Sequence, residues 1–227
     1  MNITIHAGHA PKGKPQHGAV GVVDESERAR EIVCALIKLV RDEYNEDIYD
    51  ITRDDLGYSL KGLTNRANAI CVEEGDLNIS VHLNSFYEQS ANGTEVLYYN
   101  PELRGLCSAM SAEIAKELGT KNRGAKYRTD LFFLRNTKKH AIIVEAFFCT
   151  SQSDCNLYVN NGNEKIARSI LKVLENFGYI TKTQNASEDI GTIYRVQVGA
   201  FKDKENAERY KKELNDKYGV SGVVKKD

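Results

Sequence analysis

Short runs of β-forming residues alternate with longer amphipathic stretches along most of this chain, and that alternation limits the fold more than any other feature. Residues 2–6, Ile48–Thr52, Leu77–His82, Thr94–Tyr99 and His140–Glu145 have the length and β-branched content of strands. Between the first two, Ala29, Ile32, Val33, Leu36, Ile37 and Val40 recur at helical spacing, which predicts a helix from about Ser26 to Tyr44. Further helices are expected over about 62–73, after Pro101 (with Leu106, Met110, Ile114 and Leu118 on one face) and over about 164–177. Residues 130–135 read as a strand or half-strand. Such alternation builds an α/β fold, a mostly parallel twisted sheet flanked by helices. With 227 residues there is room for one such domain and a small appendage.

Composition removes several function classes. The formal net charge is -1, so nothing at the whole-chain level calls for nucleic acid as a partner. No run approaches the roughly 20 apolar residues that span a bilayer, so no membrane partner is expected either. Met1–His6 lacks a charged start followed by an apolar core. The expectation is therefore synthesis in the cytoplasm without a signal peptide. The cysteines (Cys34, Cys71, Cys107, Cys149 and Cys155) are odd in number and lack a trusted zinc spacing. They read as reduced structural thiols, the first three buried in helical segments.

Three strand ends carry residues of matching chemistry. His9 follows the first strand, His82 closes Leu77-Asn78-Ile79-Ser80-Val81, and Glu145 follows Ile142-Ile143-Val144. In open α/β sheets, ligands gather beyond the carboxyl ends of strands. Asp24 with Glu27 three residues later forms a capping-box-like helix entry, which gives Glu27 a local structural task. Glu25 is then free to point into the glycine-rich loop that holds His9. Two imidazoles and a carboxylate suit zinc with a fourth position open. Candidate ligands are His9, Glu25 and His82, and Glu145 is the candidate proton shuttle. These donors are scattered, without the compactness of H-E-x-x-H, so spacing alone is a weak signal.

The residues around those positions resemble a family. Ile5-His6-Ala7-Gly8-His9 is similar to the strand-Asp-Pro-Gly-His opening of the zinc-dependent N-acetylmuramoyl-L-alanine amidases, and Gly21-Val22-Val23-Asp24-Glu25 to their glycine loop ending in a ligand glutamate. Ser80-Val81-His82-Leu83-Asn84 resembles their Ser-x-His-x-Asn strand end, and Val144-Glu145-Ala146-Phe147-Phe148 their Val-Glu-x-x-Phe segment, whose glutamate is catalytic. Arg123-Gly124-Ala125-Lys126 and Leu134-Arg135-Asn136-Thr137 fit in the same order. The resemblance covers about residues 1–177. It implies cleavage of the amide between the lactyl group of muramic acid and the L-alanine of the stem peptide in peptidoglycan, with Zn2+ as cofactor. His6-Ala7 stands where the family has Asp-Pro, so His6 competes with His9. The position after Gly8 favours His9 and leaves His6 as a core or supporting histidine. His17 reads as an exposed loop residue and His140 as structural.

After Phe177 the composition changes. Residues 178–191 read as a linker and 192–227 as a small β-α-β module, with strands over Ile193–Val198 and Val220–Val224 around a helix from Asp203 to Tyr218. Nine Lys/Arg against six Asp/Glu make this module mildly basic. Tyr194-Arg195-Val196-Gln197-Val198-Gly199-Ala200-Phe201 resembles the opening strand of a SPOR domain, a peptidoglycan-binding fold, of which only half is expected here. Arg195 and Gln197 are candidate wall-binding residues. So small a unit implies a homodimer. Taken together, residues 1–177 are expected to be a zinc amidase, of phage-endolysin type, that acts on the wall after release. A zinc peptidase of the stem peptide and a non-catalytic wall-binding protein are the rival readings.

Overall fold

The computed structural model describes residues 1–44, 47–88, 90–183, 203–218 and 224. It divides into two compact units, Met1–Thr183 and Gln184–Asp227. The first holds a six-stranded sheet: β1 (Ile3–Ala7), β2 (Ile48–Asp50), β3 (Leu77–Asn84), β4 (Thr94–Tyr98), β5 (Asn122–Tyr127) and β6 (His140–Phe148), in the order β2-β1-β3-β6-β4-β5. All neighbouring pairs are parallel except β4 with β6. The expected mostly parallel α/β sheet is therefore present. The C-terminal ends of β1, β3 and β6 lie together, and β4 enters from the opposite direction beside them.

Alternation along each strand sorts side chains onto two faces. On one face Ile3, Ile5, Ile79, Val81, Ile142, Val144 and Val96 form the main core with α1 (Glu25–Glu43), α3 (Arg104–Leu118) and α6 (Gly162–Asn176). Truncating a residue such as Ile79, fully buried here, to alanine should cost about 2–5 kcal/mol. The other face is covered only in part, by α2 (Leu60–Ile70) and the short α4 (Phe132–Asn136), over Ile51, Leu97, Ala141 and Ile143. Polar residues occupy the rest of that face, beginning with Thr4 and Asn78, whose side chains bond at 2.7 Å.

Several elements differ from expectation for identifiable reasons. Residues 130–135 are not a strand. The apolar run 131–134 enters α4, which buries Phe133 and Leu134. Helix α2 starts earlier than 62–73 because the Ser59 hydroxyl caps it by accepting from Gly62 N–H, and it stops earlier, with the Val72 and Glu73 N–H groups donating to Asp76 Oδ2. Strand β5 and α5 (Gln152–Tyr158) were not anticipated, β5 because its residues are polar and lie on a sheet edge. Of the cysteines, all free, Cys34 is exposed rather than buried, and Cys71 stands just past the end of α2.

Beyond α6, Ile180 is buried in the main core and Thr183 N–H donates to the Glu43 carbonyl. In the second unit, α7 (Lys204–Tyr218) follows the tail's helical pattern, with Asp203 accepting from Glu205 N–H. The strand expected at Ile193–Val198, with Arg195 and Gln197, lies outside the described residues, as does the segment expected at Val220–Val224 apart from Val224.

Candidate metal centre

The centre is assembled at the open end of the polar face. Just after β1 the chain passes through Gly8 and turns at His9, which holds a left-handed φ of 65°. Such a conformation is uncommon outside glycine, although asparagine, aspartate and histidine adopt it more often than other residues. The His9 carbonyl accepts from Arg30 Nη2 at 3.1 Å, and Arg30 is itself forked onto Asp54 at 2.6 and 2.9 Å. Asp24 caps α1 by accepting from Ser26 and Glu27 N–H, so Glu25 becomes the first helical residue and its side chain turns back toward the loop. The capping box is not closed, because the Glu27 carboxylate takes Lys12 at 3.0 Å instead of reaching back.

Glu25 Oε1 lies 3.2 Å from His9 Nε2 and 3.0 Å from His82 Nδ1, and the two imidazole rings meet edge-on at 4.7 Å. One donor atom from each of the three residues falls within 4.8 Å of the others. Two backbone N–H groups steady the carboxylate: Ala19 donates to Oε2 at 2.9 Å and Leu83 to Oε1 at 3.2 Å. Leu83 N–H is turned that way where the β3–β6 register shifts, just after His82. Burial alone would push the Glu25 carboxyl up, but the hydrogen bonds with His82 and His9 outweigh it and hold the group well below the usual carboxylate range.

Space around the donors is cut close. A Cβ on Gly8 would fall 2.2–2.5 Å from the His82 ring, and one on Gly18 (φ 86°) would meet Glu25 Oε2 at 2.6 Å. Two imidazoles and one ionised carboxylate, converging in a cradle of glycines, fit a zinc ion with an open fourth position.

Glu145 stands beside this group, its Cα paired with His82 on β3 and with Glu95 on β4. Its Oε2 is buried with no hydrogen-bond partner. Burial first, then the charges of Glu25 and Glu95, raise this carboxyl to about 8, against a smaller opposing pull from Arg128. A carboxyl that exchanges its proton near neutral pH, next to a metal cradle, can act as a general base and then a general acid.

Sequence reading missed Glu95, and met its partners Asn84 and Arg123 only as parts of family-like segments. Nearly buried, Glu95 accepts from Asn84 Nδ2 at 2.9 Å and from Arg123 Nε at 2.7 Å, while the Arg123 guanidinium rests 5.0 Å from the Phe148 ring centre. The available signal was an acid at an inward position of an otherwise apolar strand.

The remaining histidines stand apart from the metal group. His6 is buried against Phe133, its Nδ1 3.1 Å from the Ala7 carbonyl, and burial lowers its pKa to about 3, so it stays neutral. His17 is half-buried in the loop, 3.0 Å from the Lys14 carbonyl. His140 opens β6, five residues and about 16 Å from Glu145, and faces Glu102 at 3.5 Å.

Comparison with known proteins gives a consistent result. Residues 3–176 match the family described as N-acetylmuramoyl-L-alanine amidase, and residues 160–226 match the SPOR domain. The two matches overlap on α6, whose Ile166, Ile170 and Leu174 belong to the main core of the first unit. An uncharacterised 38.4 kDa protein of Clostridium perfringens is 31% identical over 178 residues, covering 76% of this chain and 50% of that protein. The chain spans about half the length of the Clostridium perfringens proteins it matches. The sporulation-specific N-acetylmuramoyl-L-alanine amidase of Bacillus subtilis is 28% identical, covering 100% of this chain and 86% of that protein. Among solved structures, the catalytic domain of the CD27L endolysin targeting Clostridia Difficile superposes with a TM-score of 0.65 at 29% identity, covering 78% of this chain and 97% of that one.

Proposed function

The chain belongs to the N-acetylmuramoyl-L-alanine amidase family, and from that premise we propose that it hydrolyses the amide joining the lactyl group of muramic acid to the L-alanine of the stem peptide. The observation that carries the reading is the buried, unpartnered Glu145 Oε2 beside the His9, Glu25 and His82 cradle. In this reading His9, Glu25 and His82 hold zinc, which when bound acidifies a water and polarises the scissile carbonyl. Glu145 takes the proton of the attacking water and returns it to the departing alanine nitrogen. Its raised pKa suits both halves of that exchange. Glu25, fixed by two backbone N–H groups, keeps both imidazoles oriented toward one point.

The likeness to the CD27L endolysin supports deployment as a phage-type endolysin that meets the wall after release. The full-length alignment with the Bacillus subtilis sporulation amidase supports a second deployment, as a lysin of the sporulating cell. For the tail, we infer wall binding and dimerisation: the SPOR match supports the first, and the small size of residues 192–227 supports the second. Light scattering should give a dimer for the full chain and a monomer once residues after Thr183 are removed; a monomeric full chain at high concentration overturns the dimer.

Mass spectrometry of digested cell walls tests the reaction. Free muramoyl groups together with intact stem peptides are expected, with activity lost on chelation and restored by zinc. Fragments cut within the stem peptide would make the protein a peptidase. Undiminished lysis by demonstrably metal-free protein would remove the zinc mechanism.

A further inference from the structure

Edge strand β5 borders the catalytic face, and its charge is one-sided. Arg123 reaches Glu95 on that face. Lys126 pairs in register with Leu97, which packs under α2 and α4, so both side chains share the face of Glu95 and Glu145. Arg128 follows at the strand's end, close enough for its charge to be felt by Glu145. On the same margin Glu95 is held by Arg123, and Asp130 by Arg128 at 2.7 and 2.8 Å. Lys126 is exposed. Arg123 is fixed in advance: its Nε donates to Glu95, its Nη1 donates to the Asn92 carbonyl at 3.4 Å, and its Cζ lies over the Phe148 ring. The side chain is still 33% exposed, which leaves Nη2 to meet a carboxylate.

The reaction proposed above supplies a substrate with the complementary asymmetry. On the glycan side, the muramoyl carboxyl at the cut bond is tied up as an amide and carries no charge. On the other side a linear stem peptide ends in a carboxylate. Strand β5 lies three strand spacings from His82, about 14 Å, which an extended peptide covers in about four residues. Resting on the amidase reading, we propose that Arg123, Lys126 and Arg128 form the subsite for the stem peptide's free carboxylates. The peptide would then leave the metal across β6 and β4 toward the β5 edge, with the glycan held on the other side. Glu95 acts as a positioning residue through Arg123.

Soluble glycan fragments bearing stem peptides with free carboxyls, and the same fragments after chemical amidation, provide the test with the zinc-loaded full chain. The wild type should favour the free-carboxyl substrate in kcat/KM by about tenfold or more. Lys126→Gln and Arg123→Gln should each lower that ratio several-fold, and added salt should lower it in the wild type. Because the ratio is taken within one preparation, any loss of folded protein cancels, and the exposed Lys126 gives a variant that disturbs no packing. Equal rates on the two substrates, or a ratio unchanged in both variants, overturn the subsite while leaving the amidase reading in place. Cleavage of neither substrate overturns that reading and the subsite with it.

Discussion

Gly8→Ala places one methyl group where the structure has least room for it. The added carbon would sit 2.2 Å from His82 Cε1, 2.4 Å from Nε2 and 2.5 Å from Nδ1. Optimal carbon contacts lie near 3.5–4.0 Å, so the ring or the loop must retreat by about 1 Å or more. The ring cannot yield freely, because Nδ1 is 3.0 Å from Glu25 Oε1 and His9 meets its edge. Metal–ligand distances tolerate only about 0.2 Å of error. The expected result is a loss of about 10- to 100-fold or more in zinc affinity, against a stability cost of about 1–3 kcal/mol from overpacking. Competition with a coloured chelator measures the first, and urea denaturation of the metal-free protein the second. Gly13→Ala is the control, since a Cβ there meets nothing within 4 Å and only its φ of 78° opposes the change. Wild-type zinc affinity in Gly8→Ala would refute the role assigned to His82.

Glu25→Ala should abolish zinc binding and wall lysis with the sheet intact by circular dichroism, whereas Glu27→Ala, losing surface pairs with Lys12 and, at 3.9 Å, Arg28, should change stability by less than about 1 kcal/mol and keep activity. Glu145→Gln should retain zinc, checked by metal analysis, and lose about 10²–10⁴-fold in turnover. The same variant makes a pH prediction for the metal-free protein. Folding raises the Glu145 carboxyl from 4.5 to about 8, so the folded state keeps a proton that the unfolded state has lost, and stability declines as pH climbs through that window. Melting curves should therefore show Glu145→Gln more stable than the wild type at pH 8 and above, with the advantage gone below pH 4.5; equal pH slopes would contradict the burial argument. Zinc affinity should weaken in acid, because metal binding at nitrogen and carboxylate ligands releases protons.

What could be seen in the sequence were groups whose positions follow from local rules. Asp24 marks the start of α1, so Glu25 had to face the loop, and period-two alternation put His82 and Glu145 on one face, although β3 and β6 run on past them to Asn84 and Phe148. Glu95 was invisible, and Arg123 stood out only through the family resemblance, because the meaning of the pair depends on strand order. Nothing local says that β4 inserts antiparallel beside β6 and so delivers Glu95 next to Glu145. The apolar run 131–134 fits a strand or a helical turn equally well, and only its packing beside α2 on Ala141 and Ile143 decides it. Polar β5 carries no apolar alternation at all, since it borders solvent on the sheet's edge.

The pairing of β1, β3 and β6 has one more consequence. His6 sits across from Ser80, and His82 across from Glu145, in a ladder where successive side chains point to opposite sides. A slip of one residue in β3 would send His82 into the oily layer beneath α1 and lift Val81 into its place. The candidate metal donors come from residues 9, 25 and 82, distant in sequence, so the cradle forms only when β1, α1 and β3 are all in place. Under the proposed mechanism, hydrolysis would report correct strand alignment. A zinc ion captured there would tie distant parts of the chain together, resisting later unzipping of the sheet from its β2 edge.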